Sequence, residues 1–310
     1  MQGGVDTHCV GWLAVFLSCA VSPSDGREKG AVLLEMRDIY IDGYSDDQWH
    51  PIIKGVDVTL HRGEIMGMIG ESGAGKSTLG LAAMGFARPG CKITGGTINF
   101  DGIDLLAISE TERRALHGSR IAYVAQSAAA AFNPAHQLMN QTIESALSHG
   151  IMPKSEAEED AKKLFAALQL PDPDNIGYRY PHQVSGGQLQ RAMTAMAMSS
   201  RPDLIIFDEP TTALDVTTQV EVLAAMRNIV DQFHTAAIYI THDLAVVAQM
   251  ADKIKVLRYG NTIEDADTRT MLKEPKEDYT KTLWAVRSIY KEEEGNDDVV
   301  LRIHDVDASY

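Results

Sequence analysis

The stretch "IGESGAGKSTLG", residues 69–80, continues an apolar run and carries three glycines within six residues, followed by a lysine and two hydroxyl side chains. Its residues 70–77 match the pattern G-x-x-x-x-G-K-[ST]. In such a loop the glycines allow successive backbone N–H groups to point at phosphate oxygens, and the N-terminus of the next helix adds its dipole. Apolar residues before the loop read as a strand, and residues 78–86 read as a helix. We therefore predict a strand–loop–helix unit that binds a nucleoside triphosphate.

Two side chains of this loop have predicted roles of their own. Lys76 is expected to reach the β- and γ-phosphates, and the Ser77 hydroxyl is expected to bind Mg²⁺. The residues that we expect to contact the nucleotide are Gly70, Glu71, Ser72, Gly73, Ala74, Gly75, Lys76, Ser77 and Thr78.

A second motif is "LIIFDEP", residues 204–210. Its apolar run is typical of a central parallel strand, and the strand ends in two adjacent carboxylates. The carboxyl ends of parallel strands meet at the edge of the sheet where phosphates bind. We therefore expect Asp208 to hold Mg²⁺ through water and Glu209 to polarise the water that attacks the γ-phosphate.

Strand-like and helix-like runs alternate along most of the chain. Residues 32–41 and 52–70 read as three strands, and "GGTINFDGIDL" reads as a strand with a bend at Asp101-Gly102. This alternation predicts an α/β fold with a sheet wound by crossovers. Further strands are expected at residues 121–124, 204–210 and 236–243, and helices at residues 154–170, 188–198 and 219–233.

The run "VSGGQLQR", residues 184–191, supplies a second set of N–H donors, because Gly-Gly precedes a helix rich in Ala and Met. Two phosphate-binding loops in one chain imply that ATP is shared between two domains. At this point the sequence resembles the ATP-binding-cassette (ABC) family, whose signature is a Leu-Ser-Gly-Gly-Gln run. Valine replaces the leucine here, and the rest of the signature is intact at Ser185, Gly186, Gly187 and Gln188.

Over about residues 32–289, the resemblance implies roles for several further residues. Gln126 matches the glutamine that senses Mg²⁺ and the water, so Ser77, Gln126 and Asp208 form the implied metal site. His242 matches the histidine that contacts the γ-phosphate, which makes Glu209, His242 and Gln126 the implied catalytic set. Asp215 of "TTALD" matches a loop that touches the opposing subunit. Tyr44 is the implied adenine-stacking residue, but the loop "DGYSDDQWHP" is expected to be long, so Trp49 remains an alternative.

The fold implied by the resemblance is a P-loop NTPase: a mostly parallel core sheet flanked by helices, an antiparallel β subdomain and a helical signature subdomain at about residues 127–190. The ATPase domain is expected to cover residues 31–262. Residues 1–30 read as an N-terminal extension, disordered or preceding the true start. Residues 263–290 read as a C-terminal segment, and residues 291–310 as an acidic linker.

Three details resemble the oligopeptide, dipeptide and nickel importer branch of the family. These are "QSAAAAFNPAHQL" after Gln126, "RYPHQVSGGQLQRAMTAMAM" around the signature, and "EPKEDYTKTLW" near the C-terminus. The resemblance implies an ATP-hydrolysing importer subunit at the cytoplasmic face of the membrane, with ATP and Mg²⁺ as cofactors. Its implied partners are a second ATPase domain, membrane-spanning permease subunits and, indirectly, a solute-binding protein. No iron–sulfur site is expected, because no cysteine follows Cys91.

Three other functions remain alternatives. The main one is a non-transport ABC ATPase, which should carry coiled-coil insertions or a basic linker. The others are a nucleotide-gated binding module without hydrolysis and an exporter motor. The net charge of −15 argues against nucleic acid as a partner.

The two ends of the chain leave further alternatives open. The apolar stretch at residues 9–21 is too short to span a bilayer as a helix, and no lysine or arginine precedes it as in a secretory signal. At the other end, "VVLRIHDVDASY" aligns with "VLLEMRDIYIDG", residues 32–43. This similarity is either coincidental or the start of a second ABC domain.

Overall fold

The structure is a computed structural model that describes residues 30–211, 214 and 216–285. Within these residues the chain forms ten strands in two sheets, together with eleven α-helices. The strands are β1 (Val32–Ser45), β2 (Gln48–His61), β3 (Ile65–Ile69), β4 (Cys91–Phe100), β5 (Ile103–Asp104), β6 (Ile121–Val124), β7 (Leu204–Asp208), β8 (Ala236–Ile240), β9 (Lys253–Arg258) and β10 (Asn261–Asp267). The helices are α1 (Lys76–Ala82), α2 (Glu110–Leu116), α3 (Ala128–Ala131), α4 (Leu138–Thr142), α5 (Glu144–Ser148), α6 (Lys154–Ala167), α7 (Gly186–Met198), α8 (Val216–Phe233), α9 (Leu244–Met250), α10 (Thr268–Lys273) and α11 (Asp278–Ala285).

The core sheet has six strands in the order β10-β9-β3-β8-β7-β6. All its neighbouring pairs are parallel except β9 and β10, which are antiparallel. Every residue of β3, β7 and β8 is buried, which explains why all of them except Asp208 at the end of β7 are apolar or glycine. The predicted α/β fold with a mostly parallel core sheet is confirmed, and the carboxyl ends of β3, β8, β7 and β6 lie side by side.

The two faces of the core sheet pack against different layers. Side chains alternate along β7, so that Ile205 and Phe207 join the helices on one face, while Leu204 and Ile206 face the other way. On that other face, α1 and the antiparallel sheet complete the core. The antiparallel sheet, in the order β2-β1-β4-β5, therefore adjoins the element that carries the phosphate loop.

The expected long loop between residues 42 and 51 is not a loop. Strands β1 and β2 continue through it and pair up to Ser45 and Gln48, leaving only the turn residues Asp46 and Asp47 unpaired. Both have positive φ, 50° and 60°, as a type I′ hairpin turn requires. The sequence signal was missed because the turn lacks the usual glycine; aspartate tolerates this conformation through its short polar side chain.

Helices α3 to α7 lie between β6 and β7 in the chain. Helix α7 begins at Gly186, two residues before the prediction, because Ser185 caps it with its side-chain oxygen. Helix α1 likewise begins early, at Lys76, and ends at Ala82 rather than at residue 86. Gly85, with φ of 69°, lies just beyond it in the left-handed region that often follows a helix. Helix α8 begins at Val216, three residues before the prediction.

The segment after β10 packs back onto the core sheet. Met271 of α10 is buried in an apolar cluster with Ile69, Val247 and Ile254, and residues of α11 pack against the same cluster. Ile69 is the last residue of β3, so this C-terminal segment lies next to the start of the phosphate loop. Among the described residues, no helix is long and apolar enough to cross a membrane. Our interpretations of residues 1–29 and 286–310 concern parts of the chain outside the described residues.

Candidate functional site

The loops that follow four adjacent strands form one edge of the core sheet. The phosphate loop follows β3, His242 follows β8, Asp208 and Glu209 stand at the end of β7, and Gln126 follows β6. Because the strands are parallel and neighbours, residues far apart in the sequence meet at this edge. The geometry of these residues makes the edge the candidate nucleotide site.

The phosphate loop has backbone conformations that favour glycine at three positions, Gly70, Gly73 and Gly75. Gly75, just before α1, has φ of 97°, and Gly70 has φ of 148°. A β-carbon on Gly70 would also lie 2.1 Å from the backbone oxygen of Leu257. The loop therefore packs directly on the end of β9, and a larger residue at position 70 would displace it.

Lys76 is held inside the loop that it follows. Its Nζ donates hydrogen bonds to the carbonyl oxygens of Gly70 at 2.7 Å and Glu71 at 2.9 Å, and the residue is 7% exposed. Burial lowers the pKa of Lys76, whereas the negative charges of Glu209 and Asp208 act in the opposite direction. A buried ammonium favours a nearby anion, and the phosphates of a nucleotide would provide one.

Asp208 uses both carboxylate oxygens. Its Oδ1 accepts a hydrogen bond from Ser77 Oγ at 2.9 Å, and its Oδ2 accepts one from Tyr123 Oη at 2.6 Å. A hydroxyl and a carboxylate side by side are the hard oxygen ligands that suit Mg²⁺. Ser77 and Asp208 therefore fit the ion that the sequence motif implies.

Tyr123 is a residue that sequence reasoning missed. It lies on β6, one position before the strand ends, and reaches Asp208 on the neighbouring strand β7. Burial and the hydrogen bond to Asp208 raise the pKa of Tyr123, so its hydroxyl stays protonated and donates at neutral pH. The signal available in the sequence was a tyrosine three residues before Gln126, but only the pairing of β6 with β7 gives it a partner.

The Glu209 carboxylate lies between two of the implied catalytic residues. Its Oε2 accepts a hydrogen bond from Gln126 Nε2 at 3.1 Å, and its Oε1 lies 3.1 Å from His242 Nδ1. The backbone of Glu209 is left-handed, with φ of 52°, and its N–H donates to the Ile240 carbonyl oxygen at 2.9 Å. A side chain held in a sparsely populated backbone conformation at a strand end is typical of functional positions.

Both candidates for adenine stacking lie on one patch. Tyr44 and Trp49 are cross-strand partners in the β1–β2 hairpin, with ring centroids 5.2 Å apart, and both are about half exposed. Further along β2, Ile53 approaches the phosphate loop, since a β-carbon on Gly75 would lie 2.5 Å from its Cδ1. Trp49 is four residues from Ile53, about 13 Å along a strand. Tyr44 and Trp49 therefore both remain candidates for stacking on adenine.

The signature residues are not part of this cluster of side chains. Ser185 and Gln188 hydrogen-bond each other in a reciprocal capping box, and among the described residues they bond no member of the phosphate loop. Ser185 and Gly186 are exposed at the N-terminus of α7. They are therefore available to another molecule. Asp215 lies outside the described residues, and its predicted role stays a prediction.

Comparisons with known proteins agree on one family. A family model described as ABC transporter matches residues 53–212. The probable peptide ABC transporter ATP-binding protein y4tR of Sinorhizobium fredii is 36% identical over 256 residues, covering 82% of this chain and 76% of that protein. The oligopeptide transport ATP-binding protein OppD of Salmonella typhimurium is 35% identical over 264 residues, or 85% of this chain and 78% of that protein.

A further relative and a solved structure extend this finding. The metal-staphylopine import system ATP-binding protein CntD of Staphylococcus aureus is 40% identical over 243 residues, or 78% of this chain and 89% of that protein. The dimeric post-hydrolysis structure of the ATP-binding cassette MJ0796, bound to ADP and Pi, matches with a TM-score of 0.69. It is 22% identical and covers 76% of this chain and 99% of its own. At that identity the likeness shows the fold.

Proposed function

The chain belongs to the ABC transporter family, and on that premise we propose that it is the ATP-hydrolysing subunit of an importer for peptides or similar small solutes. The observation that carries the proposal is the position of Glu209, between Gln126 and His242 and next to the Ser77–Asp208 pair. The names of the relatives support a transport role: each is an ATP-binding subunit of a peptide or metal-chelate transport system.

In the proposed reaction the phosphate loop and Lys76 bind the phosphates of ATP. Ser77, Asp208 and Gln126 would hold Mg²⁺, and the ion, when bound, would neutralise negative charge on the phosphates. Glu209 accepts the proton of the attacking water, and Gln126 and His242 keep its carboxylate turned toward that water. Preorganised groups of this kind need no rearrangement when the reaction occurs.

We further infer that two ATPase domains share each nucleotide. Ser185 and Gly187 of one domain would contact the γ-phosphate bound by the other, which would explain why they bear no hydrogen bonds to this chain's own loop. The γ-phosphate then makes contacts that exist only in the closed pair, and this difference couples the nucleotide to a conformational change. The dimeric state of the MJ0796 structure supports this arrangement.

The proposed membrane contact lies after β6. Residues 126–147, which include "FNPAHQL", would bind short helices of the membrane-spanning subunits at the cytoplasmic face. Gln126 begins this segment and also hydrogen-bonds Glu209. A movement of Glu209 or Gln126 during hydrolysis would therefore be transmitted through residues 126–147 to the membrane-spanning subunits.

Transport in a reconstituted system tests the proposal. The chain is co-expressed with candidate membrane-spanning permease subunits from the same genome, and the complex is incorporated into liposomes that contain ATP and Mg²⁺. With the solute-binding protein outside, we expect uptake of labelled short peptides that depends on internal ATP and is lost in Lys76→Ala. Uptake of a metal chelate instead of peptides would support the importer function but would change the proposed transported solute. ATP hydrolysis without any association with membrane subunits would favour the non-transport ATPase and refute the importer.

A further inference from the structure

The C-terminal segment of the described chain forms a hydrogen bond with the phosphate loop through Tyr279. We propose that Tyr279 is a positioning residue that fixes the first peptide of the loop and couples nucleotide binding to helix α11. The proposal rests on the proposed function, because it concerns the same nucleotide site, but it adds a regulatory contact from a segment outside the four strand ends.

The contact involves one peptide unit held from two sides. The Glu71 N–H donates to Tyr279 Oη at 3.3 Å, and the Gly70 carbonyl oxygen accepts a hydrogen bond from Lys76 Nζ at 2.7 Å. The C=O and N–H of a trans peptide point in opposite directions. Tyr279 and Lys76 therefore restrain the rotation of the Gly70–Glu71 peptide together, and Lys76 is the side chain expected to bind the phosphates.

The ring of Tyr279 rests on an element that itself supports the loop. The Arg258 guanidinium lies 4.4 Å from the centroid of this ring, within the range of a cation–π contact. Beyond Arg258, the N–H of Gly260 donates to the Ala74 carbonyl oxygen of the phosphate loop at 3.2 Å. Residues 258–260 therefore contact both the phosphate loop and the ring of Tyr279, which helps to position this ring beside Glu71.

Helix α11 is anchored at its start and along one side. The carboxylate of Glu264 on β10 accepts hydrogen bonds from the N–H groups of Lys276 at 2.9 Å and Glu277 at 3.1 Å, just before the helix. Leu283 packs against the apolar cluster that contains Ile69, the residue before Gly70. Displacement of α11 would therefore disturb the phosphate loop in two ways: through Ile69 at the end of β3, and through the Gly70–Glu71 peptide that Tyr279 contacts.

The consequence is thermodynamic coupling. If α11 in its packed position favours the loop conformation that binds phosphate, then bound nucleotide must stabilise α11 in return, because coupling between two sites is reciprocal. Removing the Tyr279 hydroxyl should free the Glu71 N–H and allow the first peptide to rotate. A single neutral hydrogen bond corresponds to about a threefold to tenfold change in affinity.

The test compares Tyr279→Phe with Tyr259→Phe in the full chain. Both variants keep an aromatic ring beside Arg258, but the Tyr259 hydroxyl has no hydrogen-bond partner among the described residues, and the side chain is 65% exposed. The affinity for a fluorescent ATP analogue, the KM and kcat for ATP, and amide hydrogen exchange over residues 278–285 are measured with and without nucleotide.

We expect wild type and Tyr259→Phe to show slower exchange at residues 278–285 when nucleotide is bound. In Tyr279→Phe, KM should rise about threefold to tenfold with kcat unchanged, and the nucleotide-dependent protection should disappear. Unchanged affinity and protection in Tyr279→Phe, or equal losses in both variants, would overturn the inference about Tyr279. The proposed function would still stand in that case, provided that the wild-type chain hydrolyses ATP. A wild-type chain that binds no nucleotide would overturn both.

Discussion

At the scale of single residues, the site depends on side chains that are positioned by their neighbours. Glu209 is the clearest case, since its left-handed backbone and its contacts to Gln126 and His242 leave its carboxylate few orientations. Tyr123, on the adjacent strand β6, likewise restrains the carboxylate of Asp208 by donating a hydrogen bond to it. These contacts hold the proposed catalytic and metal-binding groups in place without a bound nucleotide.

Replacing Glu209 with glutamine should separate binding from hydrolysis. The amide cannot accept a proton from water, so ATP turnover should fall about 10²–10⁴-fold, while ATP binding persists because Lys76 and Ser77 are untouched. Phosphate release and equilibrium nucleotide binding are the two measurements. Glu110→Gln, at an exposed position on α2, is the matched control and should behave as wild type. Near-normal turnover in Glu209→Gln would remove Glu209 from the catalytic set.

At the scale of secondary-structure elements, the starts of two helices are built alike. Ser109 before α2 and Ser185 before α7 each form a capping box with a residue three positions on, Glu112 and Gln188 respectively. Only α7 places its capped end where the proposed partner nucleotide would bind. Under the proposed function, the same local motif would stabilise α2 alone, whereas in α7 it would both stabilise the helix and present Ser185 to the partner's nucleotide.

This pair allows a test of the signature that separates folding from function. Ser109→Ala and Ser185→Ala should each lower the free energy of unfolding by about 1 kcal/mol, the usual cost of losing an N-cap. Urea unfolding measures that loss, and a phosphate-release assay measures turnover. We expect turnover to fall in Ser185→Ala only. Equal turnover in the two variants would mean that Ser185 is a cap and nothing more.

At the scale of the whole molecule, a cluster of ion pairs joins the two sheets. Asp203, which precedes β7 of the core sheet and is 3% exposed, accepts hydrogen bonds from Arg62 at 3.1 Å and Arg120 at 2.6 Å. Arg62 lies just after β2 and also pairs with Asp101, which follows β4 in the antiparallel sheet. Since buried charges are costly without partners, these four residues constrain how one sheet sits on the other.

The charge on Asp101 should make this junction sensitive to acid. Burial acts to raise the pKa of Asp101, but hydrogen bonds from Arg120 and Arg62 outweigh it and hold the pKa below its ordinary value of 3.8. A lowered folded-state pKa adds stability above the unfolded-state value, and this contribution is lost as the pH falls through the folded-state value. The loss should therefore occur below about pH 4.

Urea unfolding of Asp101→Asn at neutral and acid pH tests this assignment. The variant should be less stable than wild type at pH 7, and the difference should shrink below about pH 4, because protonation has then removed the same charge from wild type. Asp174→Asn is the control, since Asp174 is exposed and forms no ion pair among the described residues. A difference between Asp101→Asn and wild type that is constant with pH would contradict the charge-based explanation.

Much of the candidate site could be proposed from the sequence because its motifs are local. The phosphate loop needs glycines at particular backbone angles, and Asp208 and Glu209 end a continuous apolar run, so short windows of sequence carry both motifs. The resemblance to the ABC family added Gln126, Ser185 and His242 in their order along the chain. The alternation of strands and helices was enough to predict the class of fold.

What the sequence determined by itself, then, was the set of phosphate-binding motifs and a parallel sheet to carry them, since both follow from neighbouring residues. The tertiary structure decided which of these groups meet. Glu209 contacts Gln126 across 83 positions of chain, and Glu71 contacts Tyr279 across 208. The two-residue turn after Ser45 was likewise decided by strand pairing rather than by a glycine signal. Contacts between residues so far apart depend on strand order and packing, and these are properties of the whole chain rather than of any stretch within it.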